Sequence, residues 1–150
     1  NPLWGVLIYM LKVKKLSQFA TLPQKAHSGD LGYDLFASKT QDIFPDETKI
    51  ISTDICIELP EGYGAVIKDR SSVSTKKSLF TVAGVIDNGY IGPIGVAFHN
   101  ASSEVVEINI GDKIAQLVLI PTVNFSVEEV EEVFSSDKRG TGGFGSTGAQ

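Results

Sequence analysis

One cysteine, Cys56, stands in 150 residues, so the chain forms no internal disulfide. A reducing setting follows, the cytoplasm or another intracellular compartment. Cys56 lies in the alternating run Asp54–Glu58 and reads as a core thiol, not a nucleophile. Positive charge is short as well: 13 Lys and Arg against 18 Asp and Glu give a net charge of −5. That balance argues against general electrostatic binding of nucleic acid. The two histidines, His27 and His99, have no metal-ligand spacing to each other or to Cys56. No apolar run approaches the ~20 residues of a membrane span, so no membrane partner is expected. The apolar start, Asn1 to Leu11, also lacks the basic region and small-residue cleavage site of a signal peptide. Met10 is the sole methionine and a strand pattern follows it directly, so residues 1–9 are expected to be an upstream extension or remnant. Repeats and interdomain linkers are missing, which predicts one domain over residues 1–150.

What is present is β texture. The apolar fraction of 42% is enough for a real core at this length. Short extended runs cover Lys12–Leu16, Tyr33–Phe36, Asp42–Phe44, Thr48–Leu59 and Tyr63–Lys68. Ile94–His99 and Glu104–Ile110 read as a hairpin across Asn100–Ser103. Ile114–Ile120 is continuous and apolar, Pro121 stops it, and Val123–Val130 alternates again. Many short strands with close turn signals predict an all-β barrel or sandwich. The one helix candidate is Ser72–Ser78.

Five polar patterns fall at turns. In Ala83-Gly84-Val85-Ile86-Asp87-Asn88-Gly89-Tyr90-Ile91-Gly92 an apolar run stops at one carboxylate. Asn-Gly is the strongest short signal for a type I′ hairpin, which puts Asp87 at the mouth of a tight turn beside exposed backbone groups. Gly32-Tyr33-Asp34-Leu35 places a carboxylate after a Gly-rich loop. Asp69-Arg70-Ser71-Ser72 ends a strand and opens the helix, where anions are favoured. Gly111-Asp112-Lys113-Ile114-Ala115-Gln116-Leu117 puts a polar Gln116 in an apolar strand. The fifth pattern is the tail, Lys138 to Gly148. Each has a plain structural use. Asp34 and Asp112 can form turns, Ser71 or Ser72 can cap the helix, and Gln116 can satisfy a backbone group. Arg70 can pair with Asp69, Tyr90 can simply pack, and the tail can be disordered. Alternatively the tail is a lid: Gly amides and Ser/Thr hydroxyls cradle phosphates, Arg139 adds charge, and Phe144 stacks on a planar group. A P-loop is excluded, because residues 140–147 lack the lysine and no helix follows.

Taken in order, GYDL, RSS, AGVIDNGYIG, GDKIAQL and RGTGGFGSTG resemble the trimeric deoxyuridine triphosphatase (dUTPase) family. The resemblance runs from about Leu11 to Gly148. It implies a distorted jelly-roll-like β-barrel with one short helix and a flexible Gly-rich C-terminal lid over residues 135–150. It implies hydrolysis of dUTP to dUMP and pyrophosphate with Mg²⁺, which clears dUTP and supplies dUMP for thymidylate synthesis. By the same resemblance Asp87 is the general base for water attack on the α-phosphorus and contacts the 3′-hydroxyl. Tyr90 lies under the deoxyribose and excludes a 2′-hydroxyl. The backbone around Gly84, Val85, Ile86 and Gly95 reads the uracil edge. Arg70 and Ser71, with Ser72 beside them, contact phosphate, and Gln116 contacts phosphate or the catalytic water. Arg139 binds the γ-phosphate, Phe144 covers uracil, and Gly145, Ser146 and Thr147 wrap the phosphates. Asp34 holds Mg²⁺ through bound waters.

The family's sites are shared by three identical subunits. Motifs one, two and four come from one chain, the hairpin from a second, and the tail from a third. The sequence departs from the pattern at Asp69 and Ser72, where the family usually has Pro and Gly. It departs again at Thr81, an Asn next to the uracil in many bacterial relatives, and at Pro93, acidic in many members. Two other readings share the fold. A dCTP deaminase needs a catalytic Glu where Ala97 stands, and a non-catalytic nucleotide sensor would not need the complete set of motifs.

Overall fold

The computed structural model describes residues 9–145 and 147–148. Residues 1–8 of the expected extension, and the expected phosphate ligand Ser146, lie outside the described residues. Ten strands and one helix follow in order: β1 (Lys12–Lys15), β2 (Tyr33–Phe36), β3 (Gln41–Ile43), β4 (Thr48–Glu58), β5 (Tyr63–Asp69), α1 (Ser71–Lys77), β6 (Leu79–Thr81), β7 (Val85–Ile86), β8 (Pro93–Asn100), β9 (Val106–Ile108) and β10 (Lys113–Pro121). They form two four-stranded antiparallel sheets, β1-β4-β8-β6 and β2-β10-β5-β7, and a β3-β9 pair. The architecture is all-β and jelly-roll-like, with its hydrogen bonding split among three sheets instead of running round one closed barrel. No helix among the described residues is long and apolar enough to cross a membrane.

Period-two burial builds the core. On β4, Ile51, Thr53, Ile55 and Ile57 point inward, and on β8, Ile94, Val96, Phe98 and Asn100 do. Leu35, Ile114, Ala115 and Leu117 meet them from the other sheet. Burying each of the Ile, Leu, Val and Phe side chains among them contributes roughly 1.5–3 kcal/mol. Cys56 is not among them: it is half-buried, on the outer face of β4 with Asp54 and Glu58. The expectation of a core thiol is therefore corrected.

One expected strand pairing and one expected strand also differ. β8 pairs with β4 and β6, while β9 pairs with β3, so Ile94–His99 and Glu104–Ile110 are not a hairpin. Asn100 accounts for the break. It is fully buried, and its Nδ2 donates to the carbonyls of Ile43 (2.9 Å) and Glu104 (2.8 Å). Its Oδ1 accepts from the Ser102 N–H at 2.9 Å. A buried amide so satisfied fixes the chain's exit from one sheet toward the next. Residues 123–130 form no strand, despite their alternation. The helix appears one residue early, at Ser71–Lys77.

Candidate active site

The Asp87 turn is closed by the Tyr90 N–H donating to the Asp87 carbonyl at 3.2 Å. Of its central residues only Gly89 takes positive φ, 94°. Type I′ requires positive φ at both, whereas a single positive φ at the third position is the type II pattern. The flanking strands belong to different sheets: β7 pairs with β5, and β8 with β4. The expected hairpin is instead a corner between two sheets. Asn88 anchors it, its Nδ2 donating to the carbonyls of Pro60 (2.9 Å) and Tyr63 (2.8 Å). The Tyr90 ring folds back over Gly92 and its hydroxyl donates to the Pro93 carbonyl at 3.0 Å. A Cβ on Gly92 would lie 2.5 Å from that hydroxyl oxygen, so only glycine leaves room for the ring.

A cleft of about 220 Å³ opens beside the corner, lined by Gly84–Asp87, Tyr90, Ile67 and the start of β8 through Gly95. Two unpaired backbone edges frame it. β7 is the outermost strand of its sheet. On β8, pairing with β6 covers only Phe98–Asn100 and the Tyr90 hydroxyl takes the Pro93 carbonyl, which leaves the stretch around Gly95 without a strand partner on that side. Unpaired edges carry a fixed order of N–H and C=O groups. Gly84 takes φ 102°, and its carbonyl accepts the Ile67 N–H at 2.7 Å. The Asp87 side chain is exposed, with no hydrogen bond or ion pair among the described residues.

A second cleft, of about 300 Å³, is lined by Ala26, Asp30–Gly32, Asp34, Arg70–Ser72, Lys113 and Gln116. Asp34 sits on β2 opposite Gln116 of β10. Its carboxylate pairs with the Arg70 Nε at 3.3 Å and the Lys113 Nζ at 3.5 Å. Asp69 does not hold Arg70; its Oδ1 accepts the Thr81 N–H at 2.8 Å. Thr81 thus makes a backbone contact at the end of β6, opposite Phe98, and lines neither cleft. Gln116 donates from Nε2 to the Asp69 carbonyl at 2.8 Å, the plain use the sequence allowed. Its side chain lies over Gly32, where a Cβ would come within 2.3 Å of its Oε1. Ser71 and Ser72 do not cap the helix: the N-cap is Arg70, with no side-chain cap, and both serines are exposed at the cleft.

The two clefts share no lining residue. At 220 and 300 Å³ they stand at or below the small end of the ~300–1,000 Å³ typical of ligand sites. The tail joins neither. Among the described residues from 123 to 148, every hydrogen bond stays within the segment, such as Arg139 N–H to Asp137 Oδ1 at 2.7 Å. Arg139, Phe144, Gly145 and Thr147 are exposed. The sequence marked Asn88 as a turn residue but not its hold on Pro60 and Tyr63, and it gave no role to Gly92, whose neighbour Tyr90 closes over it only after folding. Lys113 lay inside a quoted motif but was given no role. Among the described residues no three His, Cys, Asp or Glu gather as metal ligands. Asp34 is a carboxylate of the second cleft, and both of its oxygens face cations, Arg70 and Lys113.

The dUTPase family model matches residues 18–148. A Clostridium tetani deoxyuridine 5′-triphosphate nucleotidohydrolase is 43% identical over 142 residues, covering 93% of this chain and 97% of that protein. The Staphylococcus bacteriophage 80alpha dUTPase, solved as a mutant with dUpNHpp, is 33% identical with a TM-score of 0.84, covering 93% of this chain and 99% of the other. A mutant dUTPase from phage phi11 of S. aureus, solved with a structural Mg(II) ion, is 33% identical with a TM-score of 0.78, covering 84% and 99%. With its five motifs set on this jelly-roll-like frame, the chain belongs to the dUTPase family of deoxyuridine 5′-triphosphate nucleotidohydrolases.

Proposed function

We propose that the chain hydrolyses dUTP to dUMP and pyrophosphate, with Asp87 as the general base. The observation that carries this is the cleft between two unpaired backbone edges with a free carboxylate at its rim. A fixed row of backbone donors and acceptors suits the edge of uracil. It would leave groups unpaired against cytosine and crowd the 5-methyl of thymine. Tyr90, held over Gly92, makes a wall for the sugar, and a 2′-hydroxyl would meet its ring. Asp87 has no partner among the described residues to compete for its lone pairs, so it can orient a water and accept its proton. Its placement at the rim is what suits it to that task.

The second cleft takes the phosphates. Arg70, Ser71 and Ser72 face it, and Gln116 lies at its floor, where it orients phosphate or the attacking water. Asp34 would hold Mg²⁺ through bound waters, and the ion would neutralise phosphate oxygens. The phi11 dUTPase coordinates a structural Mg(II) ion, so the metal itself has precedent in the family. The segment from residue 135 acts as the lid: Arg139 on the γ-phosphate, Phe144 over uracil, and Gly145, Ser146 and Thr147 around the phosphates, excluding water.

The separation of the parts supports a homotrimer with shared sites. Two clefts without a common residue, each small for a nucleoside triphosphate, and a tail bonded to neither are the parts of a site that three copies complete. The stretch after Pro121 fits such exchange, since Phe125, Val127, Val133 and Phe134 are each more than 80% exposed. The consequence in the cell is removal of dUTP and supply of dUMP for thymidylate synthesis. The test is pyrophosphate release from dUTP, dCTP, dTTP and UTP with Mg²⁺. The proposal expects release from dUTP above all others. Ammonia release from dCTP, or nucleotide binding without turnover, would replace it.

A further inference from the structure

We propose that Lys113 is a specificity-setting cation of the phosphate cleft, the residue that makes the cleft favour a triphosphate over the bare nucleoside. The proposal rests on the reading of that cleft as the phosphate site. In a regular strand residues three apart point to opposite faces, so Lys113 and Gln116 should face apart. β10 departs from regularity here. Opposite β2 the register runs Lys113↔Phe36 and then Ala115↔Leu35, so one extra residue is inserted. Ile114 and Ala115 are consecutively buried, at 1% and 0% exposure, as the bulge requires. A bulge of this kind re-aims a side chain. It turns Lys113 to the face that carries Gln116, and both line the same cleft.

The charges there are few and can be counted. Asp30, Asp34, Arg70 and Lys113 line the cleft, two carboxylates against two cations. Asp30 is engaged locally, its Oδ2 accepting the His27 N–H at 2.9 Å. Asp34 is shared, one oxygen with Arg70 and the other with Lys113. The Lys113 carbonyl also accepts from the Arg70 Nη1 at 3.2 Å, so its backbone helps to aim the guanidinium. Without Lys113 the lining becomes net negative and Asp34 claims Arg70 alone. A polyanion would then meet repulsion where it now meets balance. The ammonium is nearly half exposed, on a flexible stem, and can leave Asp34 for a phosphate oxygen within the same cleft.

The test uses the full chain carrying Lys113→Met, with Lys113→Arg as the rescue. Affinities for dUpNHpp, an imido analogue of dUTP, are measured by calorimetry with chelator present, and for deoxyuridine by NMR titration. The expected result for Lys113→Met is about tenfold weaker dUpNHpp binding. Its salt dependence should be shallower, and deoxyuridine affinity within twofold of the parent. Lys113→Arg should restore the dUpNHpp affinity. Unchanged dUpNHpp affinity in Lys113→Met overturns the proposal. So does an equal loss for deoxyuridine, which would mean a structural role. The underlying reading fails separately, if the unaltered chain neither binds dUpNHpp nor releases pyrophosphate from dUTP.

Discussion

The corner at Asp87 and the tail after Asp137 are both rich in glycine, and they use it in opposite ways. At the corner two glycines, Gly84 and Gly92, are crowded, while Gly89 at the turn itself meets nothing within 4 Å and is fixed by its positive φ of 94°. A Cβ on Gly92 would strike Tyr90 at 2.5 Å, and one on Gly84 would lie 3.0 Å from the Ile67 carbonyl. In the tail, Gly140, Gly143, Gly145 and Gly148 have nothing within 4 Å. Crowded glycine lets backbone and ring approach closely and fixes a shape. Uncrowded glycine leaves the chain its conformational entropy, which a ligand must then overcome. The same residue thus marks a corner of fixed shape and, on the proposed reading, a lid that orders over substrate.

That contrast can be broken at four points, in falling order of effect. Asp87→Asn should reduce pyrophosphate release from dUTP by about 10³-fold. Its melting temperature should stay put, since the carboxylate holds nothing; a concurrent loss of stability would make Asp87 structural. Truncation after Asp137 should reduce turnover about 10²-fold through lost positioning and exclusion of water. Circular dichroism should show an unchanged fold, and native turnover would leave the tail without a role. Gly92→Ala should displace the Tyr90 ring, reduce kcat/KM for dUTP about tenfold and narrow the gap to UTP. Steady-state kinetics with both nucleotides would reveal an unmoved ring by an unchanged ratio. Gly143→Ala should stay within about twofold of the parent rate, because its Cβ meets open space. A tenfold loss there would place Gly143 among the crowded class.

Much of the frame was legible because it rests on local periodicity. The alternation of Thr48–Glu58 and the apolar run of Ile114–Ile120 are read straight from the residues. The outward aim of Cys56 was legible too, since alternation puts it with Asp54 and Glu58 opposite Ile55 and Ile57. The preference of thiols for burial outweighed that signal. Other features depend on partners distant in sequence. Asn88-Gly89 reads as a hairpin from local preference alone, but which sheet each flank joins is decided by β4, β5 and β8. The inward turn of Asn100 depends on Ile43, 57 residues away. Val123–Val130 carries a strand's alternation with no partner strand for it among the described residues. Order of motifs, not geometry, pointed to the five site segments. Geometry then added Gly92, Lys113 and the anchoring contacts of Asn88, which no linear pattern records.

The central claim is that one chain's rigid corner and another chain's tail complete the same site. Co-expression of the Asp87→Asn chain with the chain truncated after Asp137, each with its own affinity tag, tests it directly. Assemblies carrying both tags are purified and their dUTP turnover measured. If the sites are shared, an intact Asp87 from the truncated chain meets an intact tail from its neighbour. Turnover should then rise well above that of either variant alone. If each chain builds its own site, every site in the mixture carries a defect, and purified mixed assemblies no more active than their parents would contradict the account.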